Sequence, residues 1–399
     1  MLVSKTEQGE WFSLASNHSH EMLRELRKCE SFYCPECEER VLLKVGTIKI
    51  PHFAHEKGAV CSEKYERESE YHLKGKLALY KWLQEKGLSP QLEPYYKEIA
   101  QRPDIGFTNK GVSYAIEYQC STIPEELFVK RTESYYHANI TPIWITAGKN
   151  IKRKGHNLVA LSRFDYLFVT KSSSGTWHLP AYCPVTDNLI LIQHIMPVTV
   201  KHSLAQFSIM TLNSSPISNL LNPGSRRSSR LEDWIKEIRK AKNITIPLYG
   251  SVHNKFLKEL YTHSFTPSLL PPEIGLPVPH LPFIETPAVE WQSYLFMDVL
   301  KQYKSISMDQ ILHSFKRRVR NREIKIRQLP QVRKGSALMA VKEYIDLLVK
   351  IKTLQPESQN SFKMVKPIII HETKGAQYES EKIFYQSYRE IISKSLSWV

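Results

Sequence analysis

The chain has 399 residues, 42% of them hydrophobic and 11% aromatic, with 55 Lys and Arg against 40 Asp and Glu for a formal charge of +15. That content excludes a disordered chain and, at roughly 100–200 residues per domain, implies about two to four domains. No apolar run reaches the ~18–20 residues of a membrane helix, no secretory segment follows Met1, and six Cys are too few for a disulfide scaffold, so a cytoplasmic location is expected.

Residues 1–65 are short, turn-rich and carry Cys and His. Cys34-Pro35-Glu36-Cys37 is a knuckle of two thiols, followed by His52-Phe53-Ala54-His55, a C-x2-C-x14-H-x2-H spacing. Two thiolates from one turn and two imidazoles from another suit a tetrahedral Zn²⁺. The segment Val41–Ile50 reads as a hairpin that would bring the pairs together, and Cys61 can stand in for one His. A closed four-ligand site is structural rather than catalytic.

Residues 66–150 read as helix, strand, strand, helix, strand, an α/β pattern. The first helix runs from about Glu66 to Lys86, before Gly87. Its inward stripe holds His72 and Lys76 beside Leu73, Leu79 and Leu83, unusual residues for plain packing. Glu70 lies on its flank. The turn Asn109-Lys110-Gly111 joins a strand near Gln101–Phe107 to one over Val112–Cys120. Side chains alternate along strands, so Arg102 and Asp104 share one face, as do Glu117 and Gln119. Asp104 and Glu117 are expected to converge on Mg²⁺ or Mn²⁺. Pro103-Asp104-x12-Glu117-x-Gln119 matches the metal-dependent nuclease pattern PD-(D/E)-x-K with Gln in the Lys position. Lys76 is then a candidate replacement cation, His72 a proton carrier, Arg102 a carboxylate or phosphate partner and Glu70 a third carboxylate. A second helix starts after Pro124, and Pro142–Thr146 reads as a buried strand.

Residues 151–265 read as a mixed α/β extension, with strands at Tyr166–Thr170 and Leu189–Gln193, a polar loop at Asn222–Ser229 and helix over 231–262. Seven prolines in residues 266–287 suggest a semi-rigid connector. Residues 288–399 read as an all-α module, in which Ser307 and Gln310 form a capping box before Ile311, Leu312, Phe315 and Val319. Residues 1–150 carry a net −1 and residues 151–399 a net +16. The densest basic run includes Lys316, Arg317, Arg318, Arg320, Arg322, Lys325 and Arg327. Arg-rich clusters suit phosphate, so this run is the expected DNA-binding surface.

The run Glu68-Ser69-Glu70-Tyr71-His72 with Lys76, then Arg102-Pro103-Asp104, then Ile116-Glu117-Tyr118-Gln119-Cys120-Ser121, resembles the competence protein CoiA family. So does the Cys34/Cys37…His52/His55 element, and Arg131 and Tyr135 fit the same pattern. The resemblance is strong over about 30–150 and looser beyond. It implies an N-terminal zinc-finger-like element, a nuclease-like domain and a helical C-terminal part. It also implies a role in natural transformation, promoting recombination of incoming single-stranded DNA alongside the transformation recombination machinery. The fold expected is an α/β restriction-endonuclease-like core with an N-terminal zinc-knuckle hairpin and a basic all-α C-terminal domain. The function expected is Mg²⁺- or Mn²⁺-dependent cleavage of DNA. The alternative is a catalytically inactive DNA-binding recombination mediator that keeps a nuclease fold, for which Gln119 is the best support.

Overall fold

The computed structural model describes residues 1–16, 18–47, 49–56, 68–224, 230–248 and 254–396. The chain divides into two compact units. The first holds residues 1–151, 179–192 and 207–223; the second holds 152–178, 193–206 and 224–399.

The first unit opens with a small sheet. Strands β1 (Val3–Thr6), β2 (Trp11–Ser13), β3 (Phe32–Tyr33), β4 (Arg40–Lys44) and β5 (His52–His55) lie in the order β2-β1-β3-β4-β5. The hairpin expected within Val41–Ile50 is formed instead by β4 and β5, its second strand being the ligand-bearing His52–His55, with Val41 opposite His55 and Lys44 opposite His52. One apolar cluster joins this sheet to the next two elements of the chain: Leu2, Val3, Phe32, Cys34, Val41 and Phe53 pack with Leu73 and Leu92.

A helix over Glu70–Glu85 comes next, then β6 (Gln91–Leu92), β7 (Ile105–Asn109), β8 (Val112–Gln119), a helix over Glu125–His137 and β9 (Ile140–Ala147). Strands β6, β7 and β8 are antiparallel neighbours, and β9 runs parallel to β8. The tight turn between β7 and β8 holds Lys110 and Gly111 at positive φ, as an Asn-Lys-Gly turn requires. Alternation along the strands divides the two faces. Ile105, Phe107, Ile116, Tyr118, Ile143 and Ile145 pack with Leu79, Trp82 and Leu83 of the first helix. Ala115, Tyr135 and Ile140 pack together on the other face, where Phe128 stacks on Trp144 at 3.8 Å. The result is a mixed sheet with a helix on each side, and residues of β13 (Trp177–Cys183) pair parallel to β9 through Ala181 and Tyr182.

The second unit combines β-structure and helices. Strands β10 (Lys152–Arg153) and β11 (Leu158–Ala160) pair with each other, and β11 pairs with the start of β15 (His202–Thr211). The short β12 (Thr170–Lys171) pairs antiparallel with the start of β13. Tyr166–Leu167 belongs to a short helix, Arg163–Leu167, rather than to the strand expected there. Ser162 and Asp165 form a reciprocal capping box that starts it. The strand expected at Leu189–Gln193 is part of β14 (Asn188–Pro197). The loop expected at 222–229 falls partly on residues outside those described.

Residues 266–287 differ from the extended connector expected from their prolines. Leu270, Ile274, Leu276, Val278, Leu281 and Phe283 are buried. Gln292 accepts from the Gly275 and Leu276 amides at 2.7 and 2.9 Å. The prolines therefore rigidify a packed segment. The C-terminal part is helical but not all-α. Besides helices at Ala288–Leu295, Met308–Arg320, Ala337–Lys350, Lys374–Ser387 and Arg389–Leu396, it carries a three-stranded sheet of β16 (Ser305–Ser307), β17 (Leu354–Ser358) and β18 (Ser361–Met364). Pro356 and the polar outer face of this hairpin hide its strand pattern.

Candidate functional site

Ser69 caps the Glu70–Glu85 helix by accepting from the His72 amide. That cap fixes His72 and Lys76 one turn apart on the buried side, facing the start of β7. The helix lies close to β8 because residue 75 is Gly; a Cβ there would strike the ring of Tyr118.

Lys76 is fully buried, and its ammonium meets three carboxylates: Glu68, Glu93 at 2.6 Å and Asp104 at 3.1 Å. Burial alone would depress its pKa, but Glu68, Glu93 and Asp104 together raise it well above the ordinary lysine value. His72 Nε2 lies 3.1 Å from Asp104 Oδ2, and its Nδ1 lies 3.7 Å from Glu68 Oε1. Burial works against the imidazolium, yet the Asp104 charge and hydrogen bond raise the His72 pKa overall. Asp104 Oδ2 also accepts the Tyr118 amide at 2.8 Å. Burial opposes ionisation of Asp104, but Lys76 and His72 hold its carboxyl well below the usual range. The second oxygen of Glu68 accepts from the Met1 nitrogen at 2.5 Å.

Among the described residues, ligand atoms of Glu68, His72 and Asp104 all lie within 4.8 Å of one another. Their side chains keep 20%, 18% and 13% exposure, so the group is partly buried, while Lys76 and Glu93 beneath it are fully so. Two hard oxygens and one imidazole fit Mg²⁺ or Mn²⁺. Glu93 adds negative charge below the group, and its Oε2 is buried with no hydrogen-bond partner among the described residues.

Glu117 is engaged from the other face of the sheet. Its Oε1 accepts from Arg131 Nη2 and from the Tyr135 hydroxyl, both on the Glu125–His137 helix. Arg131 is itself held by Gln101 at 3.2 Å, and its guanidinium lies 5.4 Å from the Trp144 ring. Burial pushes Glu117 up; Arg131 draws it back and the Asp104 charge adds to the push, leaving it at about 7. Asp104 and Glu117 thus feel each other electrostatically but are gripped by different helices. Glu117 is not part of the Glu68/His72/Asp104 group.

Other expected residues sit elsewhere. Gln119 donates its amide to Ser121 O at 2.9 Å, turned toward the end of its strand. Glu70 pairs with Lys74 at 2.6 Å along the helix surface, and Glu68 takes the place expected for it. Glu68 precedes the cap, so helical periodicity says nothing about where its side chain points. Glu93 gave no sequence signal either, since Glu93-Pro94 reads as an ordinary surface turn; it is buried at φ +49°, and its amide donates to Asp104 O at 3.0 Å. Arg102 does not turn to the Asp104 carboxylate. Its Nη1 lies 3.1 Å from Met1 Sδ and 3.8 Å from both Cys34 Sγ and Glu36 Oε2.

Cys34, Cys37 and His55 form a second group with ligand atoms within 4.8 Å of one another, Cys37 Sγ lying 3.4 Å from His55 Nε2. Two sulfurs and an imidazole suit a thiophilic ion such as Zn²⁺. His52 is not in the group, and its Nδ1 lies 2.9 Å from Ile50 O. The reason is geometric: H-x2-H on a strand sends the two imidazoles to opposite faces. The substitute Cys61 lies outside the described residues.

In the basic run, Arg318 and Arg327 are buried and serve the second unit's own packing. Arg318 binds Asp298, Glu259 and Glu323. It occupies the inward stripe with Ile311 and Phe315, where Leu312 and Val319 were expected. Arg327 Nη1 donates to Ile284 O at 2.6 Å and its guanidinium lies 3.8 Å from the Tyr166 ring. Lys316, Arg317, Arg320, Arg322 and Lys325 are exposed.

Three family models match the chain: the competence protein CoiA N-terminal domain over residues 15–64, its nuclease-like domain over 68–225 and its C-terminal domain over 230–376. The competence protein CoiA of Bacillus subtilis (strain 168) is 31% identical over 344 residues, spanning 85% of this chain and 91% of that protein. No solved structure matches. No helix among the described residues is long and apolar enough to cross a membrane.

Proposed function

The chain belongs to the competence protein CoiA family, and from that premise we propose that it is a Mg²⁺- or Mn²⁺-dependent DNA nuclease that processes incoming DNA for recombination during natural transformation, working in the cytoplasm. The observation that carries this reading is the partly buried group of Glu68, His72 and Asp104 above a fully buried Lys76. A mixed sheet with Asp104 at the start of β7 and Glu117 on β8 also supports a core of the restriction-endonuclease type.

Glu68, His72 and Asp104 would hold the divalent ion, which when bound acidifies water and offsets charge on the scissile phosphate. Lys76 keeps Glu68 and Asp104 ionised at low solvent exposure. Lys76 donates to Glu68 and Glu93 and pairs with Asp104 at 3.1 Å, so it organises the acids rather than reaching for phosphate. Glu117, held by Arg131 and Tyr135 on the other face of the sheet, would tune the site through its charge beside Asp104 rather than take a proton from the attacking water. Arg131 steadies Glu117 from the Glu125–His137 helix. The exposed residues Lys316, Arg317, Arg320, Arg322 and Lys325 hold DNA through its backbone.

Gln119 at the Lys position, with its amide on Ser121, favours the second reading, a DNA-binding recombination mediator without cleavage. One assay separates them. Purified protein is incubated with single-stranded, duplex and branched DNA in Mg²⁺, Mn²⁺ or EDTA. We expect cleavage in a divalent ion, none in EDTA, and a loss of 100-fold or more (about 2.7 kcal/mol or more in barrier) in Asp104→Asn with DNA binding retained. Binding without cleavage under every condition would establish the mediator.

A further inference from the structure

Two paths join the Cys/His group to the acid group. The first runs through Arg102, two residues before Asp104. Its side chain is only 8% exposed, and its guanidinium faces Cys34 Sγ and Glu36 Oε2. Pro103 between them is buried and fixes its own φ, so a shift of residue 102 is passed to residue 104. The second path runs through β5, which ends in His55. The Phe53 amide donates to Met1 O at 2.9 Å. The next residue's amide, Leu2, donates to Glu93 Oε1 at 3.0 Å, the same oxygen that takes Lys76 Nζ at 2.6 Å. Between the paths, Leu73 of the Glu70–Glu85 helix and Leu92 of β6 pack against Leu2, Phe53 and Cys34. Such packing transmits displacement rather than absorbing it. The N-terminal sheet is therefore one wall of the acid site.

We propose that a thiophilic ion on Cys34, Cys37 and His55 is energetically coupled to divalent-cation binding by Glu68, His72 and Asp104, and that Arg102 is the positioning residue that carries the coupling. The proposal rests on the reading of the acid group given above. With the ion bound, Cys34 is a thiolate that anchors the guanidinium, an outer-shell contact of the kind that orients a ligand and tunes metal affinity. Without it, that anchor is gone and the 102–104 segment is held less firmly. Coupling of this kind is reciprocal: each ion tightens the other's binding by the same factor.

The test uses the full chain, with zinc measured by elemental analysis and Mn²⁺ alone titrated against it, free Mn²⁺ being read by electron paramagnetic resonance. Mn²⁺ avoids the thiols because it prefers oxygen ligands. Zinc-loaded protein is expected to bind Mn²⁺ about tenfold more tightly than zinc-depleted protein. Arg102→Met at saturating zinc is expected to bind as weakly as the depleted wild type, with an unchanged circular dichroism spectrum. Asp104→Asn should bind none in either state. If depletion unfolds the chain, the zinc-loaded comparison of wild type with Arg102→Met decides alone. Mn²⁺ affinities equal within about twofold in that comparison overturn the coupling and leave the acid site standing. Mn²⁺ binding unchanged by Asp104→Asn overturns the acid-site reading and the coupling with it. A chain that neither carries nor takes up zinc overturns the Cys/His half.

Discussion

The chemistry turns on a few side chains whose charges are set by their neighbours. Glu117 is the clearest case: burial and the Asp104 charge lift it to about 7 against the pull of Arg131. Because the folded value lies above the unfolded one, the protonated carboxyl is favoured in the native state. This contribution to stability is fully present below the unfolded pKa of 4.5 and is lost as pH rises through about 7. Carboxyl-carbon NMR should show Glu117 titrating near neutrality, and Asp104→Asn should move it downward by removing a like charge. A titration near the ordinary glutamate value in the wild type, or no movement in the variant, would contradict this balance. At this scale the sequence was informative about His72, Lys76 and Asp104, because polar residues on an apolar helix stripe facing an acid are unusual, but the convergence expected of Glu117 with Asp104 is not found, since Arg131 and Tyr135 take Glu117. It assigned no role to Glu68, which entered only within the family-like run, and was silent on Glu93; their positions depend on a cap and a left-handed turn rather than on any period.

At the level of elements, the site depends on how closely the Glu70–Glu85 helix approaches β8. Gly75 permits it, since any Cβ would meet the Tyr118 ring. Gly75→Ala improves helix propensity by up to about 1 kcal/mol, yet overpacking of this kind costs about 1–3 kcal/mol or more. Urea unfolding should therefore show a net loss of stability, together with weakened Mn²⁺ binding. A variant more stable than wild type would mean that the helix is free to move away. Strand and helix positions in residues 66–150 were legible from alternation, the Asn-Lys-Gly turn and Pro124. Parity also exposes the error over His52: a spacing of three suits two ligands on a helix or loop, and β5 is a strand. The proline-rich 266–287 segment misled because composition reports backbone stiffness, not burial.

Across the whole molecule, the charge division is the feature most plainly written in the sequence: a net −1 over residues 1–150 and +16 over the remainder. The structure refines which cations are available. Reversing Lys316, Arg320, Arg322 and Lys325, all exposed, should weaken DNA binding and flatten its salt dependence by up to about 0.9 for each phosphate no longer neutralised. Arg318→Glu should instead destabilise the fold, because it sets a fourth acid among Asp298, Glu259 and Glu323. Filter-binding across a salt series, with thermal unfolding of each variant, checks both; an unchanged salt slope after the fourfold reversal would remove this face from DNA binding. Cleavage by this fold depends on where a divalent ion binds. A crystal soaked in Mn²⁺ and measured at a wavelength that reveals its anomalous scattering tests that directly. The expected result is a peak coordinated by Glu68, His72 and Asp104, with Lys76 still beneath it. No peak at saturating Mn²⁺, or one bound by Glu117 with Arg131 displaced, would contradict it.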